Sequence, residues 1–176
     1  VHSGDSACVI PTVMVSEEAL ATLRDYTRRL ARGLPAVGCL NVQYAMKDGV
    51  VYVIEANPRA SRTVPYVSKA TGVAWATVAC QIVAGHPLAD LHVPDEPRLR
   101  GHFVKEVVLP FIKFPGEPAM LGPEMRSTGE VMGMDDSFGM AFAKSQMAAG
   151  NTLPTTGTVF LSVNDRDKVN LVPTAR

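Results

Sequence analysis

The stretch CLNVQYAMKDGVVYVIEANP, residues 39–58, alternates apolar and polar residues on both sides of Lys47-Asp48-Gly49 and reads as a β-hairpin. A three-residue loop with Gly49 in the left-handed conformation pairs Met46 with Val50, Gln43 with Val53 and Asn41 with Glu55. Side chains alternate across a strand, so Gln43, Glu55 and Asn57 then share one face, and Val42, Tyr44, Met46, Tyr52 and Ile54 form the buried one. A two-residue turn slips the register by one and breaks up the polar group.

The outgoing strand ends on Glu55, Asn57 and Pro58, with Arg59 and Arg62 just beyond. Glu55 and Asn57, two apart, face the same way, and Gln43 joins them from the partner strand. Magnesium takes oxygen ligands, commonly one or two carboxylates completed by substrate phosphates. A guanidinium fork holds a phosphate or a carboxylated intermediate at two points, and Pro58 stiffens the path between these groups. The residues thus point to a metal-bound polyphosphate; the bland alternative is a surface Glu–Arg ion-pair network.

Outward from the hairpin, residues 7–15 are rich in β-branched side chains and read as a strand. Ser16 is a helix N-cap with Glu17 and Glu18 placed against the dipole, and the helix runs to Gly33. Leu20, Leu23, Thr27, Leu30 and Leu34 form its inward stripe, leaving Arg24, Arg28, Arg29 and Arg32 to water. A second helix is expected over 74–84, closed by Gly85, and a third over 137–150. A strand resumes in HFVKEVVLPF, and TGTVFLSVNDRDK reads as the first strand of a further unit with a helix opening at 165–168.

Bulk composition narrows the function. At 176 residues the chain buries roughly 70% of its unfolded surface, enough for a core. Lys and Arg number 17, as do Asp and Glu, so no basic face recommends nucleic-acid binding. No apolar run reaches the roughly 18 residues of a membrane helix, and no basic segment followed by an apolar one opens the chain. A soluble cytoplasmic protein is expected. Cys8, Cys39 and Cys80 are odd in number and set among apolar residues, which suits buried thiols. The start at Val1, with VHSGDSACVIP sounding like the middle of a site, suggests a piece of a longer protein.

HSGDSAC, the block NVQYAMKDGVVYVIEANPRASRTVPYVSKATGV, and KEVVLPFIKFPG followed by LGPEMRSTGEVMG together resemble the large chain of carbamoyl phosphate synthase, over nearly the whole sequence. The resemblance implies an α+β fold: the C-terminal subdomain of the second ATP-grasp half, an antiparallel sheet with flanking helices, plus the first strand of an α/β regulatory domain. Residues 1–88 would be the ATP-grasp part, 89–150 its continuation and connector, and 151–176 an incomplete regulatory domain. Gln43, Glu55 and Asn57 would ligate Mg2+ or Mn2+ bridging the phosphates of ATP, with K+ as a further cation. Arg59 and Arg62 would steady the transferring phosphoryl group and the carbamate, and Val1, His2 and Ser3 would pass the nucleotide. Asp5 and Glu106 match positions that hold ornithine in some members, and Ser162 and Lys168 a nucleotide-effector pocket. The activity implied is ATP-dependent synthesis of carbamoyl phosphate from bicarbonate and ammonia, for pyrimidine and arginine biosynthesis, with a glutaminase small subunit as partner. Alternatives are another ATP-grasp carboxylating ligase of the biotin carboxylase kind, or a non-catalytic regulatory module. The lid and adenine pocket of the family fall outside this sequence, so the isolated chain is expected to be inactive.

Overall fold

The computed structural model describes residues 2–116 and 118–175. In chain order the elements are β1 (Cys8–Ile10), α1 (Glu17–Gly33), β2 (Asn41–Lys47), β3 (Val50–Asn57), α2 (Val64–Thr71), α3 (Trp75–Val83), β4 (His102–Val108), β5 (Gly129–Asp135), α4 (Phe138–Ala148) and α5 (Lys168–Thr174). Short 3-10 turns lie at Ser3–Asp5, Leu88–Leu91, Phe111–Lys113 and Asp165–Asp167. Strands β1, β4 and β5 form an antiparallel sheet with β4 in the middle, and β2 and β3 form a separate hairpin. Among the described residues, no helix is long and apolar enough to cross a membrane.

The residues of β4 explain the layering. Phe103 points to one face and Val104 to the other, as period-two alternation requires. Phe103 is buried with Tyr66 and Ala70 of α2, and Cys8, Ile10, Val67, Leu99 and Met132 pack around them. Each large apolar side chain buried there contributes roughly 1.5–3 kcal/mol. Tyr66 donates its hydroxyl to the Phe103 carbonyl at 2.7 Å, so the one polar atom in this cluster is satisfied. Burial, with Cys8 nearby, holds its phenol above the ordinary value. On the opposite face Val104 lies under α4, whose Ala141 and Ser145 are fully buried. Gly133 of β5 permits that approach: a methyl there would run into the Ala141 carbonyl and the Ser145 amide. Ser137 caps α4 by accepting from Met140 N at 3.3 Å.

Helix α1 has its expected limits, with Ser16 accepting from Ala19 N at 3.3 Å, a cap worth about 1 kcal/mol. Its stripe is only half-buried, touching the hairpin where Thr27 shares a 2.7 Å hydrogen bond with the Tyr44 hydroxyl. Arg24 does not simply face water: it makes a two-pronged pair with Glu96 at 2.5 and 3.0 Å, and that hydrogen-bonded carboxylate raises the guanidinium pKa further.

Several expectations are corrected. The hairpin turn has two central residues, not three: Asp48 and Gly49, with φ of 51° and 78°. Lys47 therefore pairs with Val50 and Tyr44 with Val53. A bulge then omits Ile54 from the ladder, and Gln43 ends opposite Glu55 and Asn41 opposite Asn57. The expected apolar face is not one face: Met46 pairs with Val51 and Tyr52 with Ala45, so Met46 and Tyr52 point to opposite sides of the hairpin, and Met46, Tyr52 and Ile54 stay about half exposed or more. Strand β1 stops at Ile10, since Pro11 has no N–H to continue the ladder. The strand expected in TGTVFLSVNDRDK does not form; residues 157–164 have no ladder partner, and every residue from 151 to 170 is exposed. The following helix does form, as α5, after a 3-10 turn at Asp165–Asp167. Helix α2 was not anticipated, with Pro65 in its first turn and Gly72 in the left-handed region at its end. The three cysteines are free, yet none is fully buried.

The segment before β1 is tied down by Asp5. Its carboxylate is buried and accepts from Ser127 N at 2.7 Å and Arg126 N at 2.8 Å, while Ser127 Oγ donates to the Gly4 carbonyl at 2.8 Å. Burial raises the Asp5 pKa, but these amides and the charge of His2 outweigh it, leaving the carboxyl below its ordinary value of 3.8.

Two outcomes follow from this packing. Gly133→Ala forces α4 away from β5 and lowers unfolding stability by about 1–3 kcal/mol, read from urea denaturation. Because the folded pKa of Asp5 is depressed, its stabilisation is complete above 3.8 and is lost as pH falls through the lower folded value. Asp5→Asn should thus melt below the parent chain at neutral pH, the gap narrowing as pH falls below 3.8 and through the lower folded value.

Candidate functional site

Three strand residues and one loop residue converge at the base of the hairpin. Gln43 reaches across from β2 because the bulge puts it directly opposite Glu55. Its Nε2 donates to Glu55 Oε1 at 2.7 Å and to Ser3 Oγ at 3.2 Å. Asn57 Nδ2 donates to the same Glu55 Oε1 at 2.9 Å. Ser3 arrives on the 3-10 turn Ser3–Asp5, which His2 caps by accepting from Gly4 N at 2.9 Å. His2 N in turn donates to the Gly122 carbonyl at 3.1 Å. Val1, expected beside them, lies outside the described residues.

The donor set fits a hard cation. One carboxylate, two side-chain amides and a hydroxyl supply only oxygen where a metal needs it, once the amides turn their carbonyl oxygens inward. The amide N–H groups now point at Glu55, a satisfied arrangement for an otherwise crowded carboxylate. No group of three or more His, Cys, Asp or Glu suited to a metal occurs among the described residues.

The two arginines part company. Arg62 Nη1 donates to Ser127 Oγ at 3.2 Å and touches the Met125 sulfur, while its Nε lies 3.7 Å from Glu130 Oε1. Arg59 donates to the Ala60 carbonyl at 3.1 Å and lines a cavity of about 350 Å3 with Asn41, Ser61, Thr63 and Trp75. Neither forms an ion pair with Glu55 among the described residues: the hydrogen bonds join Gln43, Glu55, Asn57 and Ser3, and the two arginines engage other partners.

The expected effector positions fall elsewhere. Asp5 is committed to the backbone of Arg126 and Ser127. Glu106 accepts from Val107 N at 3.0 Å and from the Gln146 amide on α4. Ser162 and Lys168 line one cavity with Leu161, Val163 and Leu171, and Lys168 pairs with Asp165 at 2.5 Å.

Sequence reasoning missed Ser127, Glu130 and Lys105. Lys105 is only 2% exposed, and its Nζ lies 3.4 Å from Glu130 Oε1. A lysine inside the apolar run HFVKEVV was the available signal, since a charge is seldom buried without a partner.

A family model described as the carbamoyl-phosphate synthase L chain, ATP binding domain, matches residues 1–91. The carbamoyl phosphate synthase large chain of Methanoculleus marisnigri is 57% identical over 176 residues, covering 100% of this chain and 17% of that one. That of Synechocystis is 56% identical over 176 residues, covering 100% and 16%. The chain thus spans about a sixth of the length of these two relatives. Among solved structures, N5-carboxyaminoimidazole ribonucleotide synthetase from Thermus thermophilus superposes with a TM-score of 0.60 at 17% identity, covering 85% of this chain and 44% of that one. The fold is that of an ATP-grasp ligase, and the chain belongs to the carbamoyl-phosphate synthase large-chain ATP-binding domain family.

Proposed function

We propose that this chain supplies part of the site at which a complete carbamoyl phosphate synthase phosphorylates carbamate with ATP. The observation that carries the reading is the convergence of Gln43, Glu55, Asn57 and Ser3 on one point. Gln43, Glu55 and Asn57 would hold Mg2+ or Mn2+, with K+ nearby, and such a cation neutralises phosphate charge when bound. Val1, His2 and Ser3 would be the segment that passes the nucleotide, on the resemblance of the sequence. In the step itself a carbamate oxygen attacks the terminal phosphorus of ATP, the bond to the bridging oxygen breaks, and ADP leaves with the electron pair. Phosphoryl transfer of this kind depends on positioning and charge neutralisation, with little covalent help from protein groups. Arg62 and Arg59 are the cations for that work, Arg62 having its Nη2 free of hydrogen bonds among the described residues.

The same reading extends to the whole enzyme. Residues 1–88 belong to the ATP-grasp domain, 89–150 continue it towards a connector, and 151–176 open a regulatory domain. Bicarbonate and ammonia from a glutaminase small subunit are the precursors, in cytoplasmic pyrimidine and arginine biosynthesis. Asp5, Glu106, Ser162 and Lys168 are included as effector contacts, for ornithine or nucleotides, on the resemblance of the sequence. The shared cavity wall of Ser162 and Lys168 supports the second pair.

Glu55→Ala or Asn57→Ala in the complete large chain is expected to lower ATP-dependent carbamoyl phosphate synthesis by about a hundredfold or more. A near-normal rate in either variant refutes the metal role. The isolated chain should bind Mg-ATP weakly in calorimetry, and a submicromolar Kd contradicts that expectation.

A further inference from the structure

Lys105 is the most deeply buried charge in the described chain, and its one hydrogen-bond partner there is Glu130. Glu130, with a side chain 16% exposed, also faces Arg62, so one carboxylate oxygen lies between two cations. The pairing is geometrically determined. Glu130 sits opposite Val107 on adjacent strands, and Met132 sits opposite Lys105, so Lys105 and Glu130 share the sheet face that α2 covers. Arg62 lies just ahead of α2 and hangs over the end of that face. Its second anchor, Ser127, is itself held by Asp5 and Gly4.

A flexible arginine on a strand exit loses much rotamer freedom when it must meet a phosphoryl group, and fixed partners remove that cost in advance. Glu130 and Ser127 engage Nε and Nη1, leaving Nη2 outside the network. We propose that Glu130, backed by the buried Lys105, is the positioning residue that aims Arg62 at the transferring phosphoryl group. This rests on the carbamate-kinase reading above. Lys105 fixes where Glu130 sits, because a charge this buried holds its partner in place.

The complete large chain tests it through the reverse of the proposed step, ATP formation from ADP and carbamoyl phosphate. The double variant Lys105→Met with Glu130→Gln removes the pair without stranding a buried charge. It should keep its melting temperature yet lose about tenfold to a hundredfold in kcat, with KM for ADP changed by no more than about twofold. A kcat within about twofold of the parent overturns the proposal, while Glu55→Ala in the same assay reports on the underlying reading independently. An inactive Glu55→Ala beside a fully active double variant sinks the positioning role alone; an active Glu55→Ala sinks both. If the double variant melts early, Arg62→Ala provides the second test. Added guanidinium ion should restore part of its kcat when Glu130 is present and none once Glu130→Gln is introduced, and equal rescue in both backgrounds overturns the proposal.

Discussion

Gln43 and Glu55 meet because Ile54 is left out of the ladder between β2 and β3. The tight Asp48-Gly49 turn alone would put Gln43 opposite Ile54 and send the polar groups to different faces. One unpaired residue shifts the register back, and the three oxygen-bearing side chains fall on a single spot. A bulge of this kind is a local cost in ladder hydrogen bonds that a strand accepts where a side chain must be re-aimed. Without it the hairpin would be an ordinary two-stranded ribbon, and Ser3 would have no amide to bond.

The rest of the structure brings a second set of groups to that spot. Residues 122–130 do this by contacting two elements at once. The Gly122 carbonyl and the Arg126 and Ser127 amides hold the turn that carries Ser3. Ser127 and Glu130 hold Arg62. One stretch of chain therefore sets the distance between the nucleotide-facing turn and the arginine, and Asp5 is the bolt between them. Its burial is tolerable only because two backbone N–H groups satisfy both oxygens.

Beneath this, the sheet of β1, β4 and β5 is closed on both faces, by α2 through Tyr66 and by α4 through Ala141 and Ser145. The hairpin is not. Met46, Tyr52 and Ile54 remain open to solvent, and every residue from 151 to 170 is exposed. The rigid sheet is thus the platform on which Lys105 and Glu130 stand, and the hairpin is the element whose packing the described residues leave incomplete.

Much of this was legible in the residues. Helix α1 with its Ser16 cap, helices α3 and α4, and strand β4 all follow from local patterns: period and capping act over a few residues. The common face of Gln43, Glu55 and Asn57 was expected from a three-residue turn that the hairpin does not have, and it exists because the bulge at Ile54 restores it. The long motifs likewise pointed to the family before any coordinates. What the pattern could not supply was decided at a distance. The bulge at Ile54, the failure of residues 157–164 to become a strand, the burial of Lys105 and Asp5, and the divergence of Arg59 from Arg62 each depend on what another part of the chain presents. A strand exists only when a neighbour accepts its hydrogen bonds, and a buried charge is tolerated only when its partner arrives from elsewhere. Neither condition is written in the segment itself.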